Sequence, residues 1–533
     1  MTSVKDLSAD SDASAAPEDS TLHPRWLAAA WLVPVTLAVL IPGLRLQAYQ
    51  AMHAFRVMPF LYTLPVVAAV AVGVFAGLSG GFRRRIPWAL GVTTMVLLVV
   101  FVQADLNLAM EEVAGSAPRL VVEVVPVLVA VLAVWIAVRM AATMGYFIMM
   151  TLATTIIFLS IAAINVGTYV AVPGHSAVAA ADPARPDVLI LVLDGYARDD
   201  VLAERYRFDN EPFLMALAAR GFAVPRNAAA NYTGTYGALA AIYALDYPVA
   251  DGTMSGADHD RIAATLAGDN VLMRRFSDAG YDITFFENGW EGSTCPPAAD
   301  VCVRDGLWAK TMWDLGNLTL LAPVVESRWT HPFTSMAVPQ MERLVEITGQ
   351  DSAAGSPRLI MAHITVPHPP LHLDATCTLS NAPEGRRPLI REPGMTEAEV
   401  EARLALFGDQ TVCVNSTVLA AVDGFLEGNP NGLVMITADH GPDSFLQAST
   451  NPYEWSRAAI TERAAILSAY RINDACVVSV SDSMSPVNGA RLVSDCALGG
   501  EYAALPDRSY TIPAPGDPIQ DVIDLSDAVA PNG

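Results

Sequence analysis

Before residue 168 the chain breaks into five apolar stretches, Trp26 to Leu44, Pro59 to Leu78, Trp88 to Gln103, Leu120 to Val138 and Met144 to Gly167. Each is near the length that crosses a bilayer, about 20 residues, with the third the shortest. Such stretches read as membrane-spanning helices, and the whole chain agrees. Of its 533 residues 53% are hydrophobic and its mean hydropathy is +0.36, too apolar for a purely soluble protein. Residues 1–25 are polar and acidic, which predicts a disordered tail and no cleavable signal peptide.

Arg83, Arg84 and Arg85 lie between the second and third stretches, and Asp105, Glu111 and Glu112 follow the third. The positive-inside rule therefore places the N-terminus and the arginine loop in the cytoplasm, although Arg45 and Arg56 in the first outer loop run against it. Five crossings from an inside start leave the remainder outside the cell membrane. Cysteine usage points the same way independently. Cys295, Cys302, Cys377, Cys413, Cys476 and Cys496 all follow the membrane part, and an even set confined to an exported region reads as disulfides. Pairing by proximity gives Cys295 with Cys302, Cys377 with Cys413 and Cys476 with Cys496. A structural zinc site is the alternative, but no CxxC knuckle is present.

Residues 168–185 are rich in Ala and Pro without periodicity and read as a linker. From 186 to 505 short apolar runs, Val188 to Leu193, Ile283 to Phe286, Leu359 to Ile364 and Leu433 to Thr437, alternate with helical patterns. In the stretch NEPFLMALAARGF, for example, Asn210 is placed to cap, Pro212 lies in the first turn and Gly221 stops the helix. This alternation predicts an α/β domain with a largely parallel central sheet. Residues 506–533, rich in Pro, Asp and Gly, are expected to pack loosely on its surface. The formal charge of -23 excludes a nucleic-acid partner, which would need clustered Lys and Arg.

Ligand chemistry in open α/β sheets collects at the carboxyl ends of strands. Two predicted strands end in acids next to glycine, one in Asp194-Gly195 and the other in Asp439-His440-Gly441. Hard oxygen ligands plus one imidazole suit one divalent cation, zinc or manganese above all. A third element, NYTGTYGALAAIYAL, puts Thr235 at a predicted helix N-terminus, where backbone N–H groups and the dipole favour an anion. Metal coordination would make its hydroxyl a nucleophile; simple capping of the helix is the alternative, and Thr233 is the neighbouring candidate. His363 fits a substrate contact or a satisfied core histidine. Glu287 and Asn288, just past the strand at Ile283 to Phe286, are placed to line the site. Trp290 fits a platform for a sugar or headgroup, or a lid on the core.

LDG at Asp194, NYxxT at Thr235, HxxxxHPP at His363 to Pro370 and DHGP at Asp439 follow one another as in the alkaline phosphatase superfamily. The arrangement resembles its sulfatase-like, membrane-anchored branch of lipoteichoic acid synthases and phosphoethanolamine transferases. Glu462-Arg463 and Ser485 to Asn488 with Arg491 also resemble that group. The resemblance implies several membrane helices, often five, before an extracytoplasmic catalytic domain. It implies that Asp194, Thr235, Asp439 and His440 hold the metal, that Thr235 is the covalent nucleophile, and that His368 binds substrate or protonates the leaving oxygen. Ala238 and Ala241 depart from the serines usual in the family. The run Thr235-Tyr236-Gly237-Ala238-Leu239 holds no CxPSR-like formylglycine precursor, which excludes sulfate ester hydrolysis by that route. No histidine follows His440, which excludes the two-metal pattern.

The expected activity is therefore single-metal phosphotransfer, in which a phosphoglycerol or phosphoethanolamine type headgroup passes from a membrane phospholipid through phosphothreonine to a cell-envelope glycan or lipid. A phosphodiester hydrolase and a non-catalytic envelope scaffold of the same fold are the alternatives. A transporter is disfavoured because the apolar stretches carry almost no charge.

Overall fold

The computed structural model describes residues 184–290, 293–306, 331–350, 356–379, 395–444, 451–473, 479–501, 503–513 and 519–529, with positions 182, 310, 313, 325 and 476. The five apolar stretches, the acidic tail and most of the linker lie outside the described residues.

The run VLILVLD forms β1 (Val188–Asp194), in which every residue is buried. Burial on both faces is why it reads as a continuous apolar run and not as an alternation. The two faces still separate. Leu189, Leu191 and Leu193 pack into one apolar cluster, while Val188, Ile190 and Val192 pack into another on the opposite side. The sheet adds β2 (Asp282–Phe286), β3 (Val301–Val303), β4 (Arg358–Pro367), β5 (Leu433–Ala438) and β6 (Ser468–Arg471) in the order β3-β2-β4-β1-β5-β6. All neighbours are parallel except β5 and β6, so the sheet is mixed and mostly parallel. The edge strands β3 and β6 were not among the predicted runs. One has three residues and the other reads SAYR, too short and too polar to stand out.

Helices cover both faces. They are α1 (Asp199–Tyr206), α2 (Glu211–Ala219), α3 (Thr235–Ala244), α4 (Gly256–Leu266), α5 (Val271–Asp278), α6 (Pro332–Thr348), α7 (Glu397–Gly428), α8 (Arg457–Ala464), α9 (Pro486–Leu498) and α10 (Ser526–Val529). The clusters assign α1, α2, α6 and α7 to one face and α3, α4, α5 and α9 to the other. Pro212 lies in the first turn of α2 as predicted, but Asn210 at its N-cap makes no side-chain cap. Its Oδ1 instead accepts from Tyr196 Oη and Asn415 Nδ2. Helix α7, 32 residues long, has the length and hydropathy of a membrane span. It nevertheless packs on α6 and β4, with Phe407, Val418 and Phe425 in the core.

The three cysteine pairs are the ones expected, Cys295–Cys302, Cys377–Cys413 and Cys476–Cys496. The expectation of a loose C-terminal tail is corrected. Tyr510–Thr511 (β7) pairs with Ile523–Asp524 (β8), and Tyr510 is buried. Its N–H donates to Asn231 O, and its carbonyl accepts from Thr233 N, so the tail braces the segment leading into α3. Strands of two residues leave no periodicity to read.

The crosslinks span loops of 36 residues for Cys377–Cys413 and 7 for Cys295–Cys302. Loop entropy assigns them about 4 and about 2 kcal/mol respectively. Calorimetry should therefore show a larger fall in Tm for the Cys377→Ser/Cys413→Ala double variant than for Cys295→Ser/Cys302→Ser.

Candidate metal and nucleophile site

Strands β1, β4 and β5 lie side by side, so their carboxyl ends deliver side chains to one place. Asp194 ends β1, where a register shift between Leu193 and Asp194 sets it opposite Pro367. Asp439 and His440 follow β5 directly. Gly195 turns with φ +72°, and a Cβ there would lie 3.2 Å from His368 Cα. A Cβ on Gly441 would lie 2.0 Å from Glu462 O. Both positions need glycine because another backbone passes that close.

Asp439 is held on both oxygens. Its Oδ1 accepts from Gly195 N at 3.1 Å and from its neighbour His440 N at 2.8 Å. Its Oδ2 accepts from Thr235 Oγ1 at 2.7 Å. Burial raises the Asp439 carboxyl, but its surroundings, including the hydrogen bonds from Thr235 and Gly195, outweigh that and hold it below the ordinary carboxylate range.

His440 Nδ1 lies 2.9 Å from Gly441 O. A carbonyl only accepts, so the ring proton sits on Nδ1 and Nε2 presents a lone pair. That lone pair is 3.0 Å from Thr235 Oγ1, 3.4 Å from Asp439 Oδ2 and 3.6 Å from Asp194 Oδ1. Burial first, then the Arg463 charge, pushes His440 down to about 3 and keeps it neutral.

Asp194, Asp439 and His440 thus offer ligand atoms within 4.8 Å of one another, all buried. Carboxylates facing each other and an imidazole lone pair repel unless a cation stands between them. Donors around a tetrahedral ion with bonds of ~2.0–2.1 Å lie about 3.3 Å apart, close to the 3.4 and 3.6 Å found from His440 Nε2 to the two carboxylates. The donor set fits a divalent cation.

Thr235 opens α3, and Gly234, with extended backbone, occupies the N-cap. The Thr235 hydroxyl is therefore not the helix cap. The structure brings Thr235 to the carboxylates, whereas Thr233 contributes backbone. Its carbonyl accepts from Arg463 Nε at 2.6 Å, and Arg463 Nη1 also donates to Gly441 O at 2.9 Å. Arg463, 7% exposed, so ties the segment leading into Thr235 to the Asp439 loop. Sequence reading singled out Glu462-Arg463 without a role, because the partners are 230 and 22 positions away. The Ser485 to Asn488 motif does related work, since Val487 N donates to Asn231 Oδ1.

His368 is half-buried. Its Nδ1 donates to Pro369 O at 2.5 Å, and its ring meets His440 edge-on with centroids 5.9 Å apart. Burial chiefly, then Arg463, lowers it to about 4. Neutral and protonated on Nδ1, it offers a lone pair on Nε2. The buried Gln410 holds its loop, donating to Pro367 O and His368 O and accepting from His372 N and Leu373 N. Sequence reading missed Gln410, which lies mid-helix in α7.

His363 is brought to the group, with Nε2 3.7 Å from Asp194 Oδ2 and 3.8 Å from Asp439 Oδ2. Asn288 reaches it, Nδ2 lying 2.8 Å from His363 Nδ1. Glu287, also expected to line the site, has its carboxylate engaged elsewhere, paired with Arg304 at 2.7 Å. Trp290 stands further out, its ring 4.0 Å from Phe333 and under Lys310 Nζ at 5.3 Å. Phe333 in turn meets His368 and His331 at 4.9 and 5.0 Å.

No family model matches the chain, and no curated protein sequence does. Among its structural neighbours are phosphoethanolamine transferases and sulfatases. The C-terminal periplasmic domain of EcEptC from Escherichia coli is 14% identical, over 66% of this chain and 96% of that one, with a TM-score of 0.41. The integral membrane protein lipooligosaccharide phosphoethanolamine transferase A from Neisseria meningitidis is also 14% identical, over 89% and 96%, at 0.39. A 2-O GAG sulfatase is 14% identical over 62% and 78%, at 0.37.

His331 caps α6, its Nδ1 accepting from Phe333 N. Burial chiefly, then His368, lowers it to about 3. In the unfolded chain it titrates near 6.5, so the unfolded state binds the extra proton between those values. Stability is therefore full above pH 6.5 and declines as pH falls towards 3. His331→Asn keeps a capping group, and the slope of Tm against pH in that window should be shallower than in the wild type.

Proposed function

We propose that this chain is a membrane-anchored, metal-dependent phosphotransferase that uses Thr235 as its nucleophile. The observation that carries the reading is the Thr235 hydroxyl at the first turn of α3, 2.7 Å from Asp439 Oδ2 and 3.0 Å from His440 Nε2. Asp194, Asp439 and His440, with the Thr235 oxygen, would hold one divalent cation, zinc or manganese. That ion supplies charge stabilisation at the phosphoryl oxygens and a lower pKa for the threonine hydroxyl.

Thr235 Oγ1 attacks the phosphorus of a lipid headgroup in line and forms a phosphothreonine ester, while the bond from phosphorus to the glyceride oxygen breaks. The hydroxyl proton, directed at Asp439 Oδ2, ends on the departing diacylglycerol. The N-terminus of α3 contributes N–H groups towards the equatorial oxygens, where phosphoryl transfer needs stabilisation. His368 Nε2, unprotonated at neutral pH, takes the proton of an acceptor hydroxyl as that oxygen attacks phosphorus. That proton passes on to Thr235 Oγ1 as the ester bond breaks, which leaves His368 neutral again for the next cycle.

A lipid donor follows from location. Residues 26–167 would anchor the chain as a multi-pass membrane protein, with residues 186–505 outside and braced by the 506–533 segment. The paired cysteines support that compartment. The acceptor would be an envelope glycan or lipid, and the headgroup phosphoglycerol or phosphoethanolamine. Water in place of the acceptor gives a hydrolase. The scaffold reading loses its main support, because Ala238 and Ala241 pack against Tyr232, Val487 and Tyr510. They are core positions.

The test is Thr235→Ala in the full-length protein, reconstituted with labelled phospholipid. Label transfer and headgroup release should fall roughly 10³-fold or more, with Tm held. Thr235→Ser should keep measurable turnover, and mass spectrometry of the wild type should find the headgroup on Thr235. Undiminished turnover by Thr235→Ala would reject the assignment.

A further inference from the structure

His363 stands close enough to Asp194 and Asp439 to be taken for a further metal ligand, and its neighbours decide against that. Asn288 follows β2, which runs parallel to β4 with Phe286 opposite Ala362. Past that last pair the chain leaves the ladder, and the Asn288 amide reaches His363 directly. The orientation of the Asn288 amide is fixed at both ends. Its Oδ1 accepts from Trp290 N at 2.9 Å, and its Nδ2 donates to the His363 carbonyl at 3.0 Å. A backbone N–H cannot accept and a carbonyl cannot donate, so the amide has one possible orientation.

The same Nδ2 lies 2.8 Å from His363 Nδ1, which must therefore be an acceptor. A neutral imidazole carries one ring proton, so that proton is on Nε2. A metal ligand needs the opposite, a lone pair on the nitrogen that faces the ion, as His440 has. The two histidines are set in opposite tautomers by their partners, Gly441 O for one and Asn288 Nδ2 for the other.

His363 Nε2 is buried and finds no hydrogen-bond acceptor among the described residues. At 3.7 and 3.8 Å from Asp194 Oδ2 and Asp439 Oδ2 it lies beyond hydrogen-bond reach of either. A donor in that setting is costly unless an oxygen fills the gap.

We propose that His363 donates its Nε2 proton as a hydrogen bond to a phosphoryl oxygen of the substrate beside Thr235, and that Asn288 is the positioning residue which keeps it a donor and out of the metal's ligand set. The inference rests on the metal-centred reading above and names one further group for the transferring phosphoryl.

The test uses full-length protein stripped with chelator. Isothermal titration measures zinc binding to the wild type, His363→Ala, His363→Gln, Asn288→Asp and His440→Ala, followed by inorganic phosphate binding to each zinc-loaded protein. His440→Ala should lose zinc affinity by about 100-fold or more. If it does not, the metal-site reading fails, apart from anything His363 does. His363→Ala should bind zinc within about threefold of the wild type yet bind phosphate about 10-fold or more weakly. His363→Gln, whose amide retains an N–H, should recover most of that loss. Asn288→Asp keeps the acceptor for Trp290 N but draws the ring proton to Nδ1, and should weaken phosphate as His363→Ala does without loss of zinc. Three results would each overturn the proposal: zinc loss in His363→Ala matching His440→Ala, phosphate affinity unchanged in His363→Ala, or no measurable phosphate binding by the zinc-loaded wild type. Matching Tm values for wild type and His363→Gln keep the comparison free of misfolding.

Discussion

Two buried carboxylates and an imidazole lone pair, within 4.8 Å of one another, form an arrangement that water cannot screen. The core around them is apolar and the strands beneath them are rigid, so they cannot swing apart. Their mutual repulsion is relieved only by positive charge placed between them, and much of the surrounding structure can be understood as holding that geometry against its own electrostatics. Backbone N–H groups of Gly195 and His440 hold one oxygen of Asp439, leaving the other for the Thr235 hydroxyl. The carbonyl of Gly441 holds the proton of His440 on the far side of the ring.

The side chains that fix the loops around this centre come from distant parts of the chain. Arg463 joins Thr233 to Gly441, Gln410 joins the two arms of the loop bearing His368, and Tyr510 braces the segment before Thr235 through backbone hydrogen bonds. Each helps determine where a reacting atom would stand. Positioning of this kind is where small displacements cost large factors in rate. The ring contacts from His440 through His368 and Phe333 to Trp290 continue the same surface outward.

Asp194 and the Asp439-His440 pair were legible because a buried parallel strand announces itself as an apolar run, and an acid followed by glycine at its end has few structural reasons to be there. Thr235 was legible only as an alternative between capping and chemistry; the N-cap at Gly234 removes the capping role. The cysteine pairs followed from sequence proximity. Glu287 and Asn288 could not be separated in advance, because both lie past the end of β2, where the turn and not a strand pattern decides which side chain reaches His363. The tail was misread because two-residue strands carry no pattern, and Gln410 and Arg463 carry signals only in the fold. Local sequence announces what a strand ends with, and long-range packing decides what that end meets.

The central claim is that Asp194, Asp439, His440 and the Thr235 oxygen share one divalent ion. Anomalous diffraction at the zinc edge from crystals of the protein soaked in zinc would test it most directly. The account predicts a single strong peak, within ~2.0–2.2 Å of an oxygen of each aspartate and of His440 Nε2, with Thr235 Oγ1 beside it and His363 Nε2 outside the coordination sphere. A peak elsewhere, or none between these residues at saturating zinc, would contradict it.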